Sequence, residues 1–423
     1  MKTTFLRMLY VTREKYPATR VDLTELFSAG LAGRGHHIDW VMQSAASSRT
    51  AKEQKGTAEC VFVGAAGKGE GILGKAWNQL LGWVHDLRVM AIARHGEYDF
   101  IQVRDKPFAG LVGLAAARSL DIPFFYWMSF PFPEADRYRV SEVGDTLTAW
   151  HRWFYALRGH VTDWLLYRQI LPRCDHVFVQ SERMKTDVAA RGIEADALTP
   201  VPMGISLSQT ESQQVRSAGD PRLRGRLPVV YVGIITRARR MEFLIDVFRR
   251  VHQRAPRALL VLVGDGREGD LAFLQHEARR HGVEKDVIFT GMLPRDQAWS
   301  YIRAARVCVS PFRPSPILDS TSPTKVVEYL ALGKPVVAND HPDQARVLAE
   351  SGAGIAVPYE PQAFASAVLE LLNDDTRAKA MARRGPDYVR RNRSYELLSK
   401  ALEERYLRLL QRPAIAEASR PTT

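Results

Sequence analysis

Residues 307–339 read VCVSPFRPSPILDSTSPTKVVEYLALGKPVVAN, and the fold of the surrounding chain is decided by what this stretch forms. VCVS is a β-branched run of strand type, and the prolines crowding the next nine or so residues argue against helix there. Ser322-Pro323-Thr324 has the form of a helix start, with Ser322 as N-cap and Pro323 at the first helical position. The helix KVVEYLAL ends at Gly333, and PVVAN follows as a second buried strand. The first turn of such a helix offers unpaired backbone N–H groups and the positive end of its dipole, which suits a phosphate or diphosphate. Lys325 and Glu328, three residues apart, share one face of it. An ordinary βαβ unit with a capped helix has the same pattern, so the residues alone leave both readings open.

SPTKVVEYLALGKPVV resembles the donor-binding signature of the retaining glycosyltransferases of family 4, E-x7-E followed by a small-residue helix and G-x-P-V-V. The resemblance implies the GT-B fold: α/β, two Rossmann-like doubly wound parallel-sheet domains facing a central cleft. It also implies that Glu328, at the second Glu of the signature, binds the ribose of the donor nucleotide. The backbone ahead of it, through Asp319, Ser320, Thr321, Ser322, Pro323 and Thr324, would meet the diphosphate and sugar. Ser320 stands where the family has its first Glu, and Asp319 is the candidate substitute.

With 423 residues, the chain has the length for two α/β domains, each with a core of its own. Its 46% hydrophobic and 25% charged residues are ordinary for a globular protein. Three cysteines, Cys60, Cys174 and Cys308, show no metal-ligand spacing and fit a reducing compartment. No apolar run approaches the ~18 residues of a membrane span. The start, MKTTFLRMLYVTREKYP, has too short an apolar core for a secretory signal and reads as the first strand. A cytoplasmic protein, or one on the cytoplasmic face of a membrane, is expected. The net charge of +12 divides unevenly: residues 1–206 carry 25 Lys+Arg against 22 Asp+Glu, and the remainder 34 against 25. The basic residues form no single stripe and no nucleic-acid motif occurs, so anionic headgroups and nucleotide phosphates are the expected partners.

In the first half, LRMLYVT, HIDWVMQ, CVFVGA, DFIQVR, FFYWM, HVFVQS and TPVPM are strand candidates. Helical patterns such as VDLTELFSAGLAGRG and PFAGLVGLAAARSL lie between them, an alternation that argues a doubly wound parallel sheet. LFSAGLAGRGHHIDWV resembles the family's LAxRGHxV segment. Before it, REKYPATR reads as the first βα loop, where Arg20 is either an anchor for an anionic acceptor or a solvated surface residue. Arg104-Asp105-Lys106 falls at the carboxyl end of a strand, where open α/β sheets place ligands. After FFYWM the family often carries a catalytic histidine, and that position is Ser129 here. Ser129 and Asp105 are the candidates for contact with the reacting sugar, and Arg20, Arg104 and Phe130 for the acceptor. An ion pair with its own neighbours is the alternative for Asp105.

Seven of the eight tryptophans precede residue 165, concentrated in KAWNQLLGWVHDLRVM and in TLTAWHRWFYALRGHVTDWLLYRQILPR, the segment from Thr146 to Arg173. Aromatic residues among cations on amphipathic helices suit a membrane interface. Core packing with snorkelling arginines is the alternative. The interface reading fits an acceptor carried on a lipid. The passage from LPRCDHVFVQS to VPMGI resembles the one that leads the family into its interdomain linker. Domain limits follow: an acceptor-binding domain to residue 206, and a polar linker over 207–227. A donor-binding domain fills 228–388, a helix over 389–412 crosses back to the first domain, and the tail from 413 is disordered.

The second half opens on VVYVGI, then TRARR and a helix from Met241. The resemblance puts a donor-binding Lys at Arg240 and a donor-binding Arg at Ile234, with Arg237 three residues further on. Three arginines in five residues repel one another unless an anion sits among them. ALLVLVGDG runs a buried strand into Gly264-Asp265-Gly266, and GDGREG also has dinucleotide-loop spacing. Its acidic residues are poor company for a pyrophosphate, and V-G-D-G fits the glycosyltransferase pattern. Met292 and Leu293 would then face the base. Arg237, Arg240 and Lys325 with the helix start would stabilise the leaving diphosphate, with Gly233 in the same loop set. There is no D-x-D, so no metal is expected. No cofactor is expected beyond a UDP- or GDP-sugar co-substrate. The expected activity is metal-independent sugar transfer with retention to a saccharide or polyprenyl-linked acceptor in cell-surface polysaccharide biosynthesis. The expected place is an anionic membrane surface, the inner face of the plasma membrane. A nonhydrolysing sugar-nucleotide epimerase and a silent nucleotide-sugar-binding module are the alternatives.

Overall fold

The apolar runs of the first half form an eight-stranded sheet in a computed structural model that describes residues 5–67, 71–143, 148–212 and 216–411. Its strands are β1 (Arg7–Tyr16), β2 (His37–Ser44), β3 (Ala51–Lys55), β4 (Glu59–Gly64), β5 (Phe100–Arg104), β6 (Phe124–Met128), β7 (His176–Val179) and β8 (Leu198–Pro200), in the order β3-β4-β2-β1-β5-β6-β7-β8. Every pairing is parallel except β3 with β4. FIQVR, FFYWM and HVFV are buried along their whole length, as strands covered on both faces must be.

Two elements here differ from the sequence expectation. AKEQK is β3, an exposed edge strand. It has no apolar alternation to betray it, and its lysines suit an edge that must not pair further. β1 also runs on to Tyr16, pairing Lys15 with Gln43 and Tyr16 with Ser44 after a register shift. The first loop is therefore only Pro17–Arg20, not REKYPATR.

The second sheet is wholly parallel: β9 (Leu227–Val232), β10 (Ala258–Val263), β11 (Val287–Phe289), β12 (Val307–Ser310), β13 (Val336–Asn339) and β14 (Gly354–Val357), in the order β11-β10-β9-β12-β13-β14. Alternate residues serve opposite cores. Val229, Tyr231, Leu260, Leu262 and Val309 enter one, and Val230, Leu259, Val261 and Cys308 the other. Strand order reverses between β1 and β5 in the first sheet and between β9 and β12 in the second. In such sheets ligands gather beyond the strand carboxyl ends at the reversal.

The chain divides into two compact units, one of Met203–Leu397 and the other of the residues up to Pro202 with those from Leu398 onward. Within the first-sheet unit, the helix Tyr395–Gln411 lays Tyr406 over Phe100 and Phe125, and its hydroxyl donates to Gln102 Oε1 at 2.7 Å. In the other unit, the stretch read as a polar linker carries a short helix, Leu207–Ser212, and a turn at Pro221–Leu223. The tail from 413 and Thr146 lie outside the described residues.

The stretch 307–339 forms the βαβ unit β12–helix–β13, with two corrections. A four-residue helix, Pro316–Asp319, interrupts the proline-rich loop. Pro316 opens it at a position where a missing N–H costs nothing, and Ser315 caps it by accepting from Leu318 N at 3.2 Å. The main helix is Thr324–Ala331, with Pro323 as N-cap and Ser322 one residue outside it. Gly333 follows at φ 66°, the left-handed stop expected of it.

Candidate functional site

Three glycine-bearing loops meet at the head of the second sheet. Gly233, after β9, has φ 148°, and a Cβ there would lie 2.9 Å from Lys325 Cε. A Cβ on Gly264 would fall 2.1 Å from the Gly233 carbonyl oxygen, and one on Gly266 1.7 Å from that of Ile235. Backbone pairs hold the loops together: Gly233 N–H donates to Val263 O and Ile235 N–H to Asp265 O, both at 2.9 Å, and Gly264 N–H to Gly291 O at 3.2 Å. The glycines of GDG thus allow main chain to lie on main chain. Asp265 closes its own turn by accepting from Gly266 N–H at 2.8 Å.

The helix Thr324–Ala331 begins beside these loops with no side-chain cap. Lys325, in its first turn, is only 7% exposed and forms no ion pair among the described residues. Its Nζ donates to Tyr231 Oη at 3.4 Å and lies 4.8 and 4.5 Å from the ring centres of Tyr231 and Phe312. Burial, reinforced by the like charge of Arg239, pushes its pKa far below the ordinary lysine range, and Glu328 offsets this only in part. Glu328, half-buried on the same face, is pushed up to about 7 by burial, against the pull of Arg295 and Lys325. A buried lysine with no ion pair among the described residues, beside uncapped N–H groups, is an arrangement that an anion completes.

Around this centre the other sequence-predicted residues are placed as follows. The three loop arginines diverge, each with its own neighbour: Arg237 lies 3.7 Å from Asp270 and over Phe273, Arg239 lies over Phe312, and Arg240, at φ 51°, reaches Glu242 at 3.5 Å. Met292 is exposed and Leu293 half-buried beside Gly291. Ser320 and Thr321 turn their hydroxyls back to the carbonyls of Pro316 and Leu318, and Asp319 Oδ1 lies 3.5 Å from Ser315 N. The Ser322 hydroxyl donates to Asp343 Oδ2 at 2.7 Å instead of capping.

Residues that the sequence reading passed over also shape this loop. Asn339 Oδ1 accepts from Phe312 N at 2.6 Å, and His341 Nε2–H donates to Leu318 O at 2.8 Å under the Pro316–Asp319 turn. Asp343 and Arg393 pair nearby. Position at the carboxyl end of β13 was the available signal for the first three; Arg393 offered none.

At the reversal point of the first sheet, Arg104 is 1% exposed, and its guanidinium is held by Asp22 at 2.5 Å and by Asp105 at 3.5 Å. Burial alone would raise the Asp22 carboxyl, but Arg104 and Arg20 outweigh it and hold it at about 2. Arg20 itself pairs with Asp22 at 3.1 Å. Asp105 sits at φ 56° and takes both the backbone N–H of Ser129, at 2.8 Å, and its hydroxyl. Phe130 packs edge-on against Phe132, over which Arg13 stacks. Among the described residues no cluster of three or more His, Cys, Asp or Glu is placed to hold a metal ion, and no helix is long and apolar enough to cross a membrane.

Two parallel-sheet Rossmann-like domains in one chain define the GT-B class of glycosyltransferase architecture. Residues 23–209 match the Glycosyltransferase Family 4 description and residues 226–374 the Glycosyl transferases group 1 description, so the chain belongs to the glycosyltransferases of the group 1/family 4 type. The alpha-monoglucosyldiacylglycerol synthase of Streptococcus pneumoniae is 24% identical over 295 residues, 67% of this chain and 61% of that protein. The chain therefore spans about three fifths of that curated relative. Among solved structures, the sucrose-phosphate synthase of Thermosynechococcus elongatus covers 95% of this chain and 99% of its own, with a TM-score of 0.68 at 18% identity. Anabaena HepE in complex with UDP-glucose covers 95% and 100%, with a TM-score of 0.64 at 16% identity.

Proposed function

We propose that the protein transfers a sugar from a nucleotide-diphosphate sugar, UDP- or GDP-linked, to a saccharide or polyprenyl-linked acceptor. The anomeric configuration is retained, as in the family whose donor signature it resembles. The observation that carries this reading is the uncapped helix Thr324–Ala331 with a buried Lys325, which has no ion pair among the described residues, and a half-buried Glu328 on one face. As the sugar–phosphate bond breaks, charge grows on the leaving diphosphate. Helix N–H groups, Lys325, Arg237 and Arg240 would supply the positive field for it. That field stands where a divalent cation would otherwise act, and the reaction is read as metal-independent. Glu328 holds the ribose, with Gly233, Gly264 and Gly266 giving the ligand close access to backbone. Asp105, whose carboxylate takes the backbone N–H and the hydroxyl of Ser129, is assigned in this reading to contact with the reacting sugar or acceptor. The Anabaena protein's complex with UDP-glucose and a relative named for a glucosylated diacylglycerol support the donor and acceptor classes.

The acceptor is met at an anionic membrane, on the inner face of the plasma membrane, in cell-surface polysaccharide synthesis. On the helix Ala149–Trp164, Trp150, Trp153 and Trp164 are 62%, 54% and 55% exposed, with Phe154, Leu157 and Val161 on the same face. Trp77, Trp83, Val84 and Leu87 are exposed likewise on the helix Gly71–His95. These side chains are not core, and an apolar face bordered by arginines suits a headgroup boundary. A thermal-shift panel of UDP-, GDP- and ADP-sugars tests the donor reading. One class should raise the melting temperature in a concentration-dependent way, and silence across the panel would overturn it.

A further inference from the structure

Resting on the donor-site reading above, we propose that Asp343 and Arg393 are positioning residues for the donor diphosphate. They hold the Ser322 hydroxyl away from the helix Thr324–Ala331 and so keep its first turn open to an anion. Ser-Pro-Thr at a helix start ordinarily places the serine hydroxyl on the free N–H groups of the first turn. Here that hydroxyl is fully engaged elsewhere. It donates to Asp343 Oδ2 at 2.7 Å, accepts from Met203 N–H at 3.0 Å and receives Arg393 Nη1 at 3.3 Å. Arg393 also donates from Nη2 to Asp343 Oδ1 at 2.7 Å, and from Nη1 to Asp343 Oδ2 at 3.4 Å and to Met203 O at 3.3 Å. Arg346 adds a contact to Asp343 Oδ1 at 3.2 Å. Ser322, Asp343 and Arg393 are all buried, so the cluster does not trade its partners for water.

A serine cap and a phosphate compete for the same N–H groups, and the arginine–carboxylate pair removes the internal competitor. Two further observations point to an anion at this helix start. Lys325 is more than nine-tenths buried with no ion pair among the described residues, and it lies against Gly233, where a Cβ would crowd its side chain. Arg393 also cancels the Asp343 charge close to where an anion would bind. It lies beyond residues 226–374, the span matched to the group 1 description, so that match assigns it nothing.

The experiment compares UDP with uridine, GDP with guanosine and ADP with adenosine by calorimetry, on the wild type, Asp343→Asn and Arg393→Lys, and on each variant combined with Ser322→Ala. Folding is checked by the melting transition. Each single variant should weaken the diphosphate by about tenfold, the equilibrium equivalent of one capping hydrogen bond, and leave the nucleoside within about twofold. Adding Ser322→Ala should recover most of the loss, because the competing hydroxyl is gone. If diphosphate and nucleoside weaken together, or the double variant binds no better than the single, the positioning role is overturned. Should Asp343→Asn fail to fold, Arg393→Lys, which keeps the charge and loses the fork, decides by the same criteria. A wild type that binds none of the diphosphates removes the donor-site reading itself, an outcome visible before any variant is made.

Discussion

Glu328 is the residue on which the proposed donor site can be tested most directly. Its carboxyl is pushed up to about 7 by burial, so the unliganded protein holds it largely protonated in mild acid. Ribose hydroxyls donate to the ionised form, so nucleotide affinity should rise as pH rises through about 7 and flatten above it. Glu328→Gln should remove that slope and lose about 1.5–3 kcal/mol of nucleotide binding. Calorimetry across that range checks both, and unchanged affinity takes Glu328 out of the site. For the unliganded fold the sign is opposite. A raised carboxyl pKa contributes stability that is present below the unfolded carboxylate range and lost as pH climbs through about 7. Asp22 behaves in the other sense. Held at about 2 by Arg104, it contributes stability above the ordinary carboxylate range that disappears as pH falls through about 2. Asp22→Ala would leave the buried Arg104 only its longer contact to Asp105, at 3.5 Å, and should cost about 3 kcal/mol in denaturant unfolding. A change below 1 kcal/mol would mean that Arg104 finds solvent. Spacing puts Lys325 and Glu328 on one helix face, while the ribose role of Glu328 comes from the resemblance. The burial of Arg104 could not: in sequence it is one more charge at a strand end, and its partner Asp22 is 82 residues away.

At the scale of elements, the loop between β9 and the helix Glu242–Arg254 joins sequence and chemistry least directly. Clustered arginines suggest a shared anion, yet each reaches a separate neighbour. The resemblance puts a donor-binding cation at Arg240, which has φ 51°, whereas Arg239 lies over Phe312. Arg240→Ala should therefore lower kcat more than Arg239→Ala does, and equal effects in steady-state kinetics would reduce the loop to a solvated charge cluster. The strands were the legible part of the chain, because buried parallel strands are continuous apolar runs bounded by turn residues. β3 was not, since an edge strand is specified by its neighbour β4 rather than by its own side chains. The cap at Pro323 was misread for a similar reason. Propensity favours Ser322, but tertiary partners 21 and 71 residues onward take its hydroxyl.

For the whole molecule, the exposed tryptophans motivate the proposed membrane docking. A globular fold that leaves Trp77, Trp83, Trp150, Trp153 and Trp164 in water pays solvation free energy unless another phase covers them. Arg152 lies between Trp150 and Trp153 in sequence, and Arg158, paired with Asp136, stacks over Phe154 and Tyr155. Two contributions to membrane binding follow: burial of ring area at the headgroup boundary, and attraction of about 1 kcal/mol per basic residue near an anionic surface. The second is screened within a Debye length, so binding to anionic vesicles should weaken as salt rises, and neutral vesicles should bind poorly. Replacing Trp150, Arg152 and Trp153 with serine should move the protein from pellet to supernatant in vesicle sedimentation while leaving nucleotide affinity unchanged. That separation is expected because these side chains belong to the first-sheet unit and the nucleotide residues to the second. Wild-type protein that stays in the supernatant with anionic vesicles at low salt would show that the aromatic faces await a different cover, and a water-soluble acceptor would then be the better reading.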